Sequence, residues 1–165
     1  MVQKYIKRWM PDADTIRATP GLRFFGRWLD NPYLFHLNRR SVSVAFLVGL
    51  FFCYIPAPGQ AVMATLGALV LRANLPISVA LVWVSNPLTL PFFALSAYTA
   101  GAWVLGQPIV NVPEWNWAWL KTLWLPFFLG SFIMGGIAGC LGYGTVQVAW
   151  RWHVISRWSQ RRKRR

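Results

Sequence analysis

Apolar positions along the chain fall in runs rather than in strict alternation, and each run is cut by proline, glycine or a polar cluster. "SVSVAFLVGLFFCYI" (41–55) stops at "PAPGQ", and "AVMATLGALVL" (61–71) stops before Arg72 and Asn74. "LPISVALVWV" leads into "SNPLTLP", after which "FFALSAYTAGAWVLG" carries on to Gly106. Runs without a period of two predict helices surrounded by protein or lipid rather than half-buried strands. At about 1.5 Å per residue the first run reaches roughly 20 Å, against about 30 Å of hydrocarbon in a bilayer, so it is too short to cross alone. "LPFFLGSFIMGGIAGCLGYGTVQVA" (125–149) is different, because Trp124 and Trp150 bracket it at a separation of 26 residues. As a helix that is about 39 Å, close to the distance between two aromatic belts.

These lengths predict an all-α, polytopic integral membrane protein with Pro-broken or re-entrant helices and basic interfacial ends. The divisions expected are an amphipathic arm over 1–40, a transmembrane domain over 41–150 and a basic tail over 151–165. Within the middle part, helix breaks fall near 56–60 and 85–91 and a full span near 125–150. Two topologies fit. One has a re-entrant hairpin (41–71), a broken crossing (75–105) and a return; the other has four short crossings. The first two units also share a short string, Ser43 to Phe46 against Ser78 to Leu81, with Pro56 and Pro87 31 residues apart. That is a candidate internal repeat, short enough to arise by chance.

Charge sharpens the picture. Of all residues, 56% are hydrophobic and 13% charged, about half the charged share of a soluble domain. Residues 1–40 carry a net +5, residues 41–150 only +1, and residues 151–165 a net +7. Basic flanks around a nearly uncharged middle predict an inner-membrane protein with both termini cytoplasmic. No signal peptide is expected, since the first 40 residues hold no uninterrupted apolar core followed by small residues. In "TPGLRFFGRWLDNP" the aromatics Phe24, Phe25 and Trp28 share a helical face with Leu29, and Arg23 and Arg27 stand between them, which suits a helix lying among anionic headgroups. Arg39, Arg40, Arg157, Arg161, Arg162, Lys163, Arg164 and Arg165 complete the set expected at headgroups. Beside a membrane span such a tail meets anionic lipid rather than nucleic acid. The Trp-rich stretch 107–124 reads as a connection at headgroup level.

The breaks raise the chemical question. Proline has no N–H and displaces the carbonyl four residues back, so Pro87 is expected to free the carbonyl of Trp83, and Pro56 and Pro58 those of Phe52 and Tyr54. Unpaired carbonyls in hydrocarbon cost several kcal/mol each and must find partners. Gln60 at one break, and Ser85, Asn86 and Thr89 at the other, are the candidates. Either the two breaks satisfy each other as packed joints, or they line a small polar cavity of the kind broken transporter helices make. Small residues recur every four positions at Ser131, Gly135 and Gly139, at Ala45, Gly49 and Cys53, and at Ala64 and Ala68. Those faces suit close helix packing, within the chain or in a homo-oligomer.

Catalytic and metal signals are missing from the sequence. His36 and His153 lack partners at triad or ligand spacing, and no phosphate loop, metal set or cofactor motif is present. Cys53 and Cys140 read as small packing residues, not a disulfide. Enzymatic activity is therefore disfavoured without being settled.

"MPDADTI", "DNPYLFHLNRRSVSVAFLVGLF", "IPAPGQ" and "RANLPISVALVWVSNPLT", with the Gly101 region, resemble an uncharacterised bacterial membrane family, domain of unknown function 2062. The likeness covers roughly residues 10 to 106 and includes both breaks. It implies a small bacterial inner-membrane protein and lends no catalytic residues. Two functions then stand open. One is transport or handling of a small or lipid-linked substrate at the paired breaks. The other is a non-catalytic scaffold or accessory subunit that binds anionic lipid and a partner protein.

Overall fold

A computed structural model describes residues 32–55, 59–108 and 117–162. These form one 3-10 turn (Pro32–Phe35) and five helices: α1 Arg39–Tyr54, α2 Gln60–Val70, α3 Leu75–Val82, α4 Leu90–Val104 and α5 Trp117–Arg162. The described residues contain no strand, so the all-α class holds.

Local chemistry sets the helix ends. The Asn38 side chain accepts the N–H of Ser41 at 2.7 Å and caps α1. At the other end, Ile55 leaves helical geometry and donates to the Phe52 carbonyl at 3.2 Å. Gly59, at φ 91°, opens α2 in the left-handed region that glycine enters without strain. Asn74 then caps α3 through a 3.2 Å bond from the Ile77 N–H, with Pro76 in the first turn.

Contacts fix the directions. Asn74 N–H bonds the Ser41 carbonyl at 3.1 Å, Ser78 Oγ bonds that of Ala45 at 3.5 Å, and Gly49 abuts Leu81. Hence α3 runs parallel to α1, offset by about one turn in register at most. Gly67 of α2 lies against Val48 and Phe52 while Gln60 reaches Ile55, so α2 folds back antiparallel to α1. α4 carries on in the direction of α3. The long α5 returns past both: Gly139 faces the Leu47 carbonyl, Gly135 that of Phe51, and Gly130 that of Ala97. α1 and α4 therefore stand end to end along α5, and the rings of Tyr54 and Phe93, 4.7 Å apart, meet at their junction.

The helix that carries the expected span runs on beyond it. No glycine or proline follows Gly144, so nothing interrupts the helix, and the basic stretch continues α5 as far as Arg162. The candidate repeat is parallel only up to its breaks, because α2 reverses where α4 continues.

The interior is made of small side chains. Ala45, Ala64, Ala68, Ser43, Ser78 and Ser131 are fully buried, and among the described residues no aromatic ring is. Large side chains point outward instead, with Trp83, Leu88, Phe92, Trp103 and Trp152 each at least 70% exposed. Monomeric soluble proteins rarely show contiguous apolar surface of this kind. One helix among the described residues is long and apolar enough to cross a membrane, Leu123–Ser156 within α5; α2 and α4 are apolar but shorter. Cys53 is buried, whereas Cys140 is exposed on α5; both are free thiols.

Candidate functional site

The end of α1, the start of α2, the end of α3 and the start of α4 converge halfway along α5, and the polar residues singled out in the sequence gather there. Pro56 and Pro58 lie outside the described residues. Past α3 the chain tightens through 3.0-residue turns, with Trp83, Val84 and Ser85 N–H groups bonding the Ala80, Leu81 and Val82 carbonyls. The helix has thus ended well before Pro87. The group needing a partner is the Val84 carbonyl, one residue beyond the expected Trp83, and the Thr89 hydroxyl donates to it at 2.6 Å.

Asn86 completes this turn. Its Oδ1 accepts the N–H groups of Leu88 at 2.9 Å and Thr89 at 3.0 Å, while its own N–H bonds Thr89 Oγ1 at 3.0 Å. An asparagine folding back onto the backbone two and three residues ahead is an Asx turn. Here it starts α4, since the Leu90 N–H bonds the Asn86 carbonyl at 2.8 Å.

Gln60 joins the two breaks. Its Nε2 donates to the Ile55 carbonyl at 2.7 Å, and its Oε1 lies 3.3 Å from the Ser85 hydroxyl. Ser85 Oγ also lies 3.0 Å from the Val82 carbonyl and shares its proton between the two acceptors. One side chain therefore satisfies a carbonyl left by the first break and holds a hydroxyl of the second. Beside it, Cys53, Tyr54, Gln60, Leu90, Phe93 and Phe127 border a gap of about 10 Å³, room for no more than a single water. Asn86, Pro87 and Leu88 face outward. Of the seven residues marked for this site, Gln60 and Ser85 are brought together, and Asn86 and Thr89 serve the turn next to them.

Gln60→Leu should lower unfolding stability by about 1–3 kcal/mol, since it strands the Ile55 carbonyl and removes the acceptor facing Ser85. Ser85→Ala should cost less. A double-mutant cycle on thermal unfolding in detergent checks the bridge: coupling of about 0.5 kcal/mol or more is expected, and strictly additive losses would mean the two breaks are independent.

The basic residues gather at the opposite end of α1. Arg39 Nε bonds Gln147 Oε1 and ties the start of α1 to α5. Arg40 is exposed beside it, and Arg72 is exposed in the α2–α3 turn at φ 53°. Arg157, Arg161 and Arg162 lie on the last turns of α5, whereas Arg23, Arg27, Lys163, Arg164 and Arg165 lie outside the described residues. All four acidic residues of the chain, Asp12, Asp14, Asp30 and Glu114, lie outside them too. Sequence reasoning missed Asn74, which was read as marking a polar level. It is fully buried, donates to the His36 carbonyl at 3.4 Å and holds the α2–α3 turn against α1. The signal was available, since Asn two residues before Pro at a helix start is a cap pattern.

A family model described as "Uncharacterized protein conserved in bacteria (DUF2062)" matches residues 22–159. That stretch includes both breaks and nearly all of α5, which the resemblance read from the sequence had left out. Neither the curated proteins nor the solved structures give a match.

Proposed function

The chain belongs to the DUF2062 family of bacteria, and from that premise we propose that it is a multi-pass inner-membrane protein acting as a non-catalytic scaffold anchored to anionic lipid. The observation that carries this reading is the separation of charge from apolar surface along one axis. The start of α1, the α2–α3 turn and the end of α5 put Arg39, Arg40, Arg72 and Arg151 at one end. The body between that end and Trp103 and Trp124 exposes apolar side chains. In a bilayer, α1 and α2 form a re-entrant hairpin from the cytoplasmic face. The α3–α4 pair makes a broken crossing and α5 returns, so that both termini are cytoplasmic. From Gln147, which bonds Arg39 at the start of α1, to Pro126, which meets Gly101 near the end of α4, α5 runs 21 residues, about 32 Å, which matches the hydrocarbon core of a bilayer. Small-residue faces available to a homo-oligomer are occupied within the chain, which leaves lipid as the first partner.

Handling of a small or lipid-linked substrate at the breaks is the second reading. Exposure of Asn86 at mid-length favours it, because an amide facing hydrocarbon calls for water or a ligand. The tightness of the Gln60–Ser85 joint weighs against it.

Single cysteines in a background lacking Cys53 and Cys140 separate the two, probed with a membrane-impermeant thiol reagent from either side. For the scaffold, Arg40→Cys labels from the cytoplasmic side, Gln107→Cys from the other, and Gln60→Cys, Asn86→Cys and Leu129→Cys stay silent. Labelling at 60 and 86 but not 129 would replace the dry joint by a water-filled cavity and give the second reading precedence. Labelling of Arg40→Cys and Gln107→Cys from the same side would sink the topology.

A further inference from the structure

We propose that the junction between the first turn of α1 and the α2–α3 turn is a binding site for a phosphate group, presented by the headgroup of an anionic phospholipid. The proposal rests on the reading of this end as the cytoplasmic membrane surface and adds a defined set of donors to it.

Four features meet there. First, α1 and α3 are parallel and begin side by side, joined by the bond from Asn74 N–H to the Ser41 carbonyl at 3.1 Å. Their positive ends consequently face the same way. Second, the Asn38 side chain satisfies the Ser41 N–H, while the N–H groups of Arg39 and Arg40, one and two places into α1, have no acceptor within the helix. Third, arginines stand at this end on three elements: Arg39 and Arg40 on α1, Arg72 in the turn, and Arg151 on α5 one helical turn beyond Gln147, which bonds Arg39. No acidic side chain offsets them among the described residues.

The fourth feature is an unpartnered hydroxyl. Ser41 is 3% exposed, and its Oγ is buried with no hydrogen-bond partner. A buried hydroxyl without a partner is destabilising by about 1–3 kcal/mol and is rare. Its direction follows from helix spacing. Ala45, four residues on and on the same face, packs with Ala68, Ala73 and Leu75, so Ser41 faces the turn that carries Arg72. That hydroxyl donates to a phosphate oxygen, the free amides and guanidiniums supply further donors, and helix starts favour the negative charge. Arg72 itself adopts a φ of 53°, where glycine is the usual residue at a helix end. Arginine at that position places an exposed charge beside the first turn of α1 where the backbone favours glycine.

The test follows thermal unfolding of the full chain in nanodiscs of neutral phosphatidylcholine, into which phosphatidylglycerol is titrated. A parallel titration uses inorganic phosphate against sodium chloride of equal ionic strength. Phosphatidylglycerol should stabilise the wild type with a saturable midpoint. Ser41→Ala should leave the unfolding temperature in neutral lipid unchanged or higher, because its Oγ bonds nothing within the protein, yet weaken the midpoint roughly tenfold. Arg72→Gly, which suits the turn, should weaken it about fivefold, and Lys121→Gln, near the start of α5, should leave it alone. Stabilisation by inorganic phosphate with the same variant pattern supports the site and identifies the free anion as a sufficient ligand. Equal midpoints for wild type, Ser41→Ala and Arg72→Gly would overturn the site while leaving a diffuse basic membrane surface intact. Failure of the wild type to insert into nanodiscs at all would overturn the membrane reading, and the site with it.

Discussion

Gly130→Ala is expected to separate α4 from α5 and lower the stability of the protein by about 3 kcal/mol, at the upper end of what overpacking usually costs. At this crossing backbone touches backbone. A Cβ on Gly130 would overlap the Ala97 carbonyl, and one on Gly101 would overlap the Pro126 carbonyl. Neither obstacle is the tip of a side chain that can swing aside. The helices must move apart along their whole contact, and the apolar surface they bury there, Ala97 and Ala102 included, goes with them. Lipid makes that loss severe, since close packing rather than hydrophobicity holds helices together in a bilayer. The matched control is Gly136→Ala, where the new methyl meets nothing within 4 Å and helix propensity improves by about 1 kcal/mol. Thermal unfolding in one detergent, followed by circular dichroism, compares them. Similar melting temperatures for the two variants would mean the α4–α5 contact does not hold the fold.

Which parts of this structure were readable from sequence depends on whether the signal is local. Proline removes a donor wherever it stands, so both breaks were visible, and so were the polar residues beside them. Ser131, Gly135 and Gly139 announced a close helix contact because a four-residue stripe of small side chains has few other uses in an apolar run. The direction taken after each break was hidden. "PAPGQ" and "SNPLTLP" each hold two prolines, yet the first reverses the chain and the second preserves its heading. The difference lies in Gly59, at φ 91°, before α2, and in the Asn86–Thr89 turn before α4. What selects between them is the packing of α2 back onto Val48 and Phe52, a tertiary fact that spacing does not carry.

The two ends of α1 differ in the same way. Gln60 was found because it stands next to the break whose Ile55 carbonyl it serves. The grouping at the other end was not, because Ser41 and the turn carrying Arg72 are brought together only by the fold. Each alone reads as a small packing residue or a solvated charge. Arg72 in particular sits where a loop charge is expected, and its left-handed backbone leaves no trace in the sequence. A break is thus legible as chemistry before it is legible as geometry, whereas a grouping between elements becomes legible only after the fold.

Asn74→Leu tests the residue on which that second end depends, and it should cost about 2–4 kcal/mol. Asn74 is fully buried, and its side chain and backbone are both bonded. Its Oδ1 accepts the Ile77 N–H, its Nδ2 donates to the His36 carbonyl, its N–H bonds Ser41, and its carbonyl accepts the Ser78 N–H at 3.0 Å. Leucine has nearly the same shape and keeps the two backbone bonds, so packing changes little. It removes the cap of α3, worth about 1 kcal/mol, and the donor to the part-buried His36 carbonyl, at about 1–3 kcal/mol. Asn38→Ala provides the comparison, because Asn38 caps α1 from an exposed position and its loss should stop at about 1 kcal/mol. Unfolding in detergent should therefore rank Asn74→Leu at least twice as damaging as Asn38→Ala. Equal losses would reduce Asn74 to an ordinary cap. If the ranking holds, Asn74→Leu should also blunt the response to phosphatidylglycerol with Ser41 and Arg72 both intact, since it removes the bond from Asn74 Nδ2 to the His36 carbonyl that helps hold the α2–α3 turn against the approach to α1.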